Sequence, residues 1–419
     1  MTLLDQEHLP SLAPRVIALA ERLRSHTPQS RLSTARRIES LCAAARLLLD
    51  DRYAPKRSLQ EDLRVTTGLS APMIAWGLET TLNSVQSSVL HDLALASRTS
   101  SYCQRLPPRL AVVILANNVF SSALRALFLP LLAGAPVLVK TPGADGAFAR
   151  ALKAALDDVD AALGERLEVV SFGREDSAAT TALLSAAEVV SAYGDDRSLE
   201  AIARKLPKRV RFLPHGHGVS AAYISADQLS NRRRARDTAD RVALDVVAYD
   251  QRGCLSPHAI FVESDSPLRL EKFAELLVEE SLPLLSELLP RGTLRASEQA
   301  AALQWRAVAA VRGRLFASQS YAVSVEEGPV RLSPGGRQVG IYPCSSPAEL
   351  AELLSPFQQH LKCVGIAASG SQTAAVADRL RRLGAPPLCR VGEMQTPPFD
   401  AQADGRAPLE GLLEFRDLH

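Results

Sequence analysis

Apolar residues recur at three-to-four spacing over residues 12–25 and 31–49, with Arg and Glu between them, so both segments predict amphipathic helices. Ser33 and Thr34 stand ahead of the second run as candidate caps. The first hundred residues read as helices throughout. The pattern then changes. Residues 109–115 form a short continuous apolar run, the mark of a strand buried on both faces. A polar step at Asn117 and Asn118 follows, and 121–132 reads as an apolar helix ended by Gly134, Ala135 and Pro136. A strand at 137–139 leads into Lys140. Helices at 147–163, 176–187 and 196–205 then alternate with strands at 167–171 and 189–192. Such alternation predicts an α/β fold with a mostly parallel sheet covered on both faces. Further on, 221–224 is apolar, 231–248 is a helix with a basic face, 259–262 a strand and 268–289 a long helix. Later strands are expected at 339–342 and 364–368 around a helix at 347–361, and the Pro- and Gly-rich tail from Pro386 should be extended. No internal repeat or low-complexity linker interrupts the chain.

Composition narrows the picture. At 419 residues, two domains are the default expectation. A net charge of +2 gives no case for nucleic-acid binding, and the basic run 231–236 reads as a solvated helix face. Residues 1–15 lack the basic start and apolar core of a signal peptide, which predicts a cytoplasmic protein. The most apolar stretch, 111–139, holds Asn117, Asn118, Arg125 and Pro130, whose burial in lipid argues against a membrane span. The six cysteines (Cys42, Cys103, Cys254, Cys344, Cys363 and Cys389) are scattered, and so predict reduced thiols and no metal site.

Cys254 is the candidate for chemistry. A helix ends near Ala248, a short loop containing Gly253 presents the thiol, and a strand follows Pro257. A thiol on a tight loop has exposed sulfur and nearby amides, which favour the nucleophilic thiolate. Against this stands the ordinary role of a free cysteine as a small buried residue. His215 and His217 have metal-ligand spacing but no third ligand, and read as turn residues satisfied by backbone; His258 reads as structural or solvent-facing. No Gly-x-Gly-x-x-Gly follows any strand, so the usual dinucleotide fingerprint is absent.

These residues carry a resemblance. Gln251 and Cys254 followed by Ser256-Pro257 and a strand are similar to the nucleophile loop of aldehyde dehydrogenases. Residues 112–119 resemble that family's strand and Pro-Trp-Asn-Phe loop, with Asn118 on the asparagine that helps bind the oxyanion. Residues 137–141 resemble its Val-Val-Val-Lys-Pro segment, with Lys140 on the lysine that contacts the adenosine ribose or its phosphate. The closer resemblance, over roughly 100–419, is to LuxC-type acyl-CoA reductases. It rests on Asn118-Val119, on Tyr193-Gly194, on Cys254 to Pro257, and on Val391-Gly392-Glu393-Met394-Gln395 with Asp404-Gly405.

The resemblance implies an aldehyde-dehydrogenase-like fold: two α/β domains with an N-terminal helical segment. That segment (1–106) would pack on a cofactor domain (107–222), followed by a catalytic domain carrying Cys254 (223–385) and a tail (386–419) returning to the cofactor domain. The active site is expected in the cleft between the domains. The implied activity is NADPH-dependent reduction of an acyl thioester, on CoA or acyl carrier protein, to aldehyde. Cys254 would form the acyl enzyme and expel CoA. Asn118 and the Cys254 amide would hold the oxyanion. Leu115, Ala116, Lys140, Thr141, Gly143 and Gly194 would bind the cofactor. NADP preference follows from Gly143, which stands where NAD-using relatives often carry a glutamate that repels a 2′-phosphate, although Asp145 is close enough to take that role. Pro214 occupies the place of the glutamate that activates water in hydrolytic relatives, and His215 or His217 lies on the loop that flanks the nucleophile there. A homo-oligomer is expected by analogy. The alternatives are a dehydrogenase producing acid and a non-catalytic relative that binds acyl groups or protein partners.

Overall fold

The structure, a computed structural model, describes residues 11–26, 32–96, 103–116, 119–142, 146–264, 266–384 and 386–417. It divides into two compact units. The first comprises Met1–Leu59, Val85–Gly216 and Leu409–His419; the second comprises Gln60–Ser84 and His217–Pro408.

In the first unit, the helices Ala13–Arg24 and Thr34–Leu49 form where the periodicity placed them. The Ser33 hydroxyl caps the second by accepting the Arg36 N–H at 3.2 Å. The segment expected as one helix over 147–163 breaks at Asp160, which adopts φ −154° between Ala147–Val159 and Ala161–Gly164. Its carboxylate accepts the Arg36 guanidinium at 2.9 and 2.7 Å and the Ser40 hydroxyl at 2.7 Å. One side chain thus ties the N-terminal helices to the sheet domain.

The strands of this unit are β1 (Cys103–Leu106), β2 (Ala111–Ile114), β3 (Val137–Thr141), β4 (Leu167–Ser171), β5 (Val189–Tyr193) and β6 (Arg211–His215). β2 to β6 form a parallel sheet in the order β4-β3-β2-β5-β6. Val112, Leu138 and Val190 at its centre are fully buried and pack with Val16, Leu23, Leu183 and Leu184 from flanking helices. β6 carries no strand pattern in the sequence. Its edge position leaves it half-buried without apolar alternation, and an edge tolerates Pro214, which has no N–H to give.

The second unit is built on β7 (Val219–Ile224), β8 (Pro257–Glu263), β9 (Gly313–Ala317), β10 (Ala322–Glu326), β11 (Gln338–Cys344), β12 (Leu361–Ala367) and β13 (Leu388–Arg390). Their order is β13-β12-β7-β8-β11-β10-β9, parallel except where β9 meets β10. The boundary expected at Ala222 falls inside β7, a strand that belongs wholly to this sheet. Gln60–Ser84 also joins this unit, although it was expected with the cofactor domain. The long helix expected over 268–289 carries a π turn at Leu277–Ser281 between Pro267–Leu276 and Leu282–Leu288, which accommodates the missing N–H of Pro283. β14 (Glu414–Asp417) pairs antiparallel with β1 in the first unit. Among the described residues, no helix is long and apolar enough to cross a membrane.

Candidate active site

The helix Arg232–Val247 ends in an unusual turn. Tyr249, Asp250 and Gln251 have φ of 52°, 55° and 60°, three successive left-handed residues without a glycine. Each costs about 1–3 kcal/mol unless its surroundings hold it. All three are buried and held. The Tyr249 N–H meets Met73 Sδ at 3.1 Å, and its ring packs edge-on against Trp76 at 5.4 Å. Asp250 accepts the Arg337 Nε at 2.9 Å and the Gly292 N–H at 3.0 Å. Gln251 uses both ends of its amide: Nε2 donates to the Pro257 and Gln338 carbonyls at 2.8 Å each, and Oε1 accepts the Gln338 N–H at 2.8 Å. It thereby splices the loop onto the starts of β8 and β11.

Cys254 emerges from this turn just before β8. Of the five cysteines whose side chains are described, it alone is exposed. Cys42, Cys344 and Cys363 are buried, and burial raises each of their thiols, Cys344 to about 11; Cys363 lies 3.3 Å from Cys389, sulfur to sulfur, and that contact is the largest cause of its shift. The Cys254 carbonyl accepts the Ser220 hydroxyl at 2.8 Å. The amides of Gly253 and Leu255 donate to no acceptor among the described residues, and the Cys254 amide acts on its own sulfur. Backbone donors without acceptors on the residues flanking a nucleophile are of the kind that can stabilise an oxyanion. The sequence reading that the loop favours a thiolate holds only in part. The residue reaches solvent, but the protein packed around its sulfur pushes the thiol above its usual range. Lys362 pulls it back down, Asp404 pushes up more weakly, and the Cys254 amide adds a smaller pull.

The tail motif packs beside this loop. Gly253 faces Gln395: a Cβ on the glycine would lie 2.8 Å from Gln395 Oε1. Gln395 Nε2 and Ser256 Oγ are buried with no hydrogen-bond partner among the described residues. The amides of Gly392 and Met394 donate to Asp245 at 2.6 and 3.0 Å, fastening the tail to the helix that precedes the nucleophile. Burial pushes the Asp245 carboxyl up to about 7, against the pull of those two amides.

In the first unit, the chain runs from β2 outward to β4 and then returns to the other side of β2 as β5. The order therefore reverses between β2 and β5, the topological switch point at which open α/β sheets bind nucleotides. Leu115 and Ala116 follow β2, Gly194 follows β5, and Lys140 and Thr141 end β3, all at carboxyl ends. Lys140 is half-buried with Nζ 5.4 Å from the Phe172 ring centre. Burial lowers its ammonium from the usual value, as does neighbouring Arg174, while Glu175 opposes. The Thr141 hydroxyl donates to the Val170 carbonyl at 3.4 Å. Asn118 and Gly143, with Asn117 and Asp145, lie outside the described residues.

His215 is placed differently from expectation, while His258 takes the structural strand position expected of it. His215 ends β6, and its ring stacks on Tyr193 at 4.3 Å, so it is a strand residue and not a turn residue. His217 is exposed. His258 in β8 is half-buried, with Nδ1 2.8 Å from the Ser333 carbonyl oxygen. Among the described residues no cluster of three or more His, Cys, Asp or Glu could hold a metal. Sequence reasoning missed Lys362, Asp245, Ser220 and Arg337, which no motif marks.

A family model described as acyl-CoA reductase (LuxC) matches residues 33–415. The chain belongs to this family. Long-chain acyl-protein thioester reductase 2 of Photobacterium leiognathi is 29% identical over 203 residues, 48% of this chain and 41% of that protein. The long-chain acyl-protein thioester reductase of Aliivibrio fischeri is 27% identical over 208 residues, 49% of this chain and 41% of that protein. The match thus spans under half the length of either relative. Among solved structures, KauB aldehyde dehydrogenase of Pseudomonas aeruginosa superposes with a TM-score of 0.77 at 13% identity, covering 97% of this chain and 88% of that one. Aldehyde dehydrogenase 21 of Physcomitrella patens gives 0.76 at 12% identity, covering 97% and 90%. At such identities these establish the fold alone, and the fold is that of aldehyde dehydrogenases, as the sequence resemblance implied.

Proposed function

We propose that this LuxC-family protein reduces an acyl thioester, carried on CoA or an acyl carrier protein, to the aldehyde through an acyl-Cys254 intermediate, with NADPH as reductant. The observation that carries this reading is Cys254 itself: an exposed residue on a turn held by buried hydrogen bonds, flanked by Gly253 and Leu255 amides that have no acceptor among the described residues. The Cys254 thiolate attacks the thioester carbonyl carbon. A new C–S bond forms, the old one breaks, and the carrier thiol leaves with a proton. The Cys254 amide and the Asn118 side chain bind the oxyanion. The first unit fits a nicotinamide dinucleotide in its donor set: a switch point flanked by Leu115, Ala116 and Gly194, and a cation, Lys140, at the next strand end. When bound, that cofactor supplies hydride to the acyl carbon. Cys254 then departs as thiolate and the aldehyde is released. Pro214, in place of a carboxylate, offers no base to activate water, which keeps the acyl enzyme from hydrolysis.

The test is purified protein with NADPH and a panel of acyl-CoA and acyl carrier protein thioesters, with products identified by mass. Aldehyde formation is expected. Acid formation from aldehyde and NADP+, without thioester reduction, would overturn the reading.

Two predictions belong here. Asn118→Ala should lower kcat by about 100- to 1000-fold with little change in KM. Asn117→Ala is the control, since a polar loop asparagine is often only a turn residue; equal mild losses from both would remove Asn118 from the mechanism. The second concerns the cofactor. Lys140 and neighbouring Arg174 bring two cations to the ends of β3 and β4, a charge pattern suited to a 2′-phosphate. Wild type should prefer NADPH, and Lys140→Ala should lose about 10- to 100-fold in kcat/KM with NADPH and less with NADH. A wild-type preference for NADH contradicts this. An equal loss with both cofactors would place Lys140 on the shared ribose.

A further inference from the structure

Two register shifts sit side by side in the second unit's sheet. β12 pairs with β7 through Leu361–Val219 and then Cys363–Ser220, so Lys362 is skipped. β7 pairs with β8 through Ser220–Pro257 and then Ala221–Ala259, so His258 is skipped. Both shifts fall in the layer of Ser220, whose hydroxyl holds the Cys254 carbonyl. Bulges bend a strand and re-aim a side chain, and they concentrate near active sites. His258 is taken up by Ser333. Lys362 is the side chain with a use still to be assigned.

Its path is built for it. A Cβ on Gly218 would lie 2.0 Å from Lys362 Cγ and 2.4 Å from Cε, so the lysine stem occupies space that only glycine leaves open. The ammonium forms an ion pair with Asp404, with both side chains largely shielded from solvent. Asp404 adopts φ 54° in the tail, and Arg406 stands 3.8 Å from its other oxygen. The Lys362–Asp404 pair spans β12 and the tail, and of its two charges the lysine acts more strongly on the Cys254 sulfur.

We propose that Lys362, thrown out of the β12 ladder by the bulge, seated over Gly218 and tethered by Asp404, is the positioning cation that sets the reactivity of Cys254. This deepens the nucleophile reading and rests on it. The charged groups acting on the sulfur are Lys362 and Asp404, with Arg406 behind Asp404; the Cys363 thiol also lies within electrostatic reach, and His217 acts on His258. Lysine favours the thiolate and aspartate opposes it, so the two charges should have opposite effects on the rate at which the sulfur reacts.

The experiment measures the rate of iodoacetamide alkylation of Cys254, located by peptide mass, against pH on the full chain. It needs no turnover. Lys362→Gln should slow alkylation near neutral pH by about three- to tenfold and move the profile to higher pH. Lys362→Arg should restore it. Asp404→Asn, which tolerates the left-handed backbone, should leave the rate unchanged or raise it. An unchanged Lys362→Gln profile, or an Asp404→Asn loss as large as that of Lys362→Gln, overturns the proposal, because a merely structural tether would suffer from either change. Failure of the wild-type Cys254 to alkylate at all would instead remove the nucleophile reading.

Discussion

Cys254→Ala is expected to lower acyl thioester reduction by on the order of 10⁴-fold or more, since removing a covalent nucleophile removes the route and not one of its supports. The more decisive measurement precedes turnover. Incubation with a labelled acyl-CoA in the absence of nicotinamide should acylate one residue, found on the peptide containing Cys254 and absent from Cys254→Ala. The structure sharpens this test by ranking the competitors. Cys42, Cys344 and Cys363 are buried and their thiols are raised, Cys344 to about 11, so little thiolate is present near neutral pH. Cys389 is half-exposed and sits against Cys363. Among the cysteines whose side chains are described, it is therefore the control that matters. Label on Cys389, or label undiminished in Cys254→Ala, would sink the assignment.

The Cys254 thiol is also raised by its packing, so the resting enzyme is expected to hold mostly neutral thiol. The reaction rate should then rise with pH towards and through the thiol's titration, with the thiolate fraction as its cause. Exposure and nearby amides on a tight glycine-containing loop, the features legible in the sequence, favour the anion; packing around the sulfur opposes them. A loop presents a cysteine, but its ionisation is set first by the protein packed around the sulfur, which raises the thiol, and then by charges from distant segments, Lys362 pulling it down and Asp404 pushing it up.

That distinction separates what was legible in the sequence from what was not. Buried parallel strands such as β2 and β3 announce themselves as continuous apolar runs, because both faces are covered. Edge strands do not: β6 mixes Arg, Pro and His, and β9 is largely exposed. The helix Ala296–Arg312 was also unread; Leu303, Val308 and Val311 sit on its exposed side and blur the apolar stripe. At the site, Gln251 and Cys254 were visible because they share one short segment. The tail at 391–395 was visible only as a resemblance. Its physical basis is tertiary: Gly392, at φ 92°, passes so close to the helix Arg232–Val247 that a Cβ would lie 2.9 Å from Arg241 Cβ, and its amide donates to Asp245. No local pattern marks a carboxylate whose amide donors lie 147 and 149 residues away.

The same reasoning singles out the Asp250–Arg337 pair for the largest effect on stability. Both side chains are fully buried. Arg337 donates Nε to Asp250 at 2.9 Å, Nη1 to Ser286 Oγ at 3.2 Å and Nη2 to the Leu289 carbonyl at 2.7 Å. Arg337→Met should destabilise the second unit by about 3–5 kcal/mol, because it leaves Asp250 charged, buried and short of its partner. Asp250 is also the middle residue of the left-handed turn, so the loss should release that strain and loosen the support of Cys254. Hydrogen exchange should therefore show lost protection in residues 249–257 before global unfolding, and Cys254 alkylation should lose its single-rate behaviour. The double variant Asp250→Leu, Arg337→Met discriminates between charge and packing. If the unpaired charge dominates, removing both partners should recover part of the stability. Recovery should be incomplete, since the Gly292 amide that donates to Asp250 at 3.0 Å loses its acceptor, a cost of about 1–3 kcal/mol. A double variant no more stable than Arg337→Met would show that the turn is held by fit and hydrogen bonding, and that the buried pair is not its principal support.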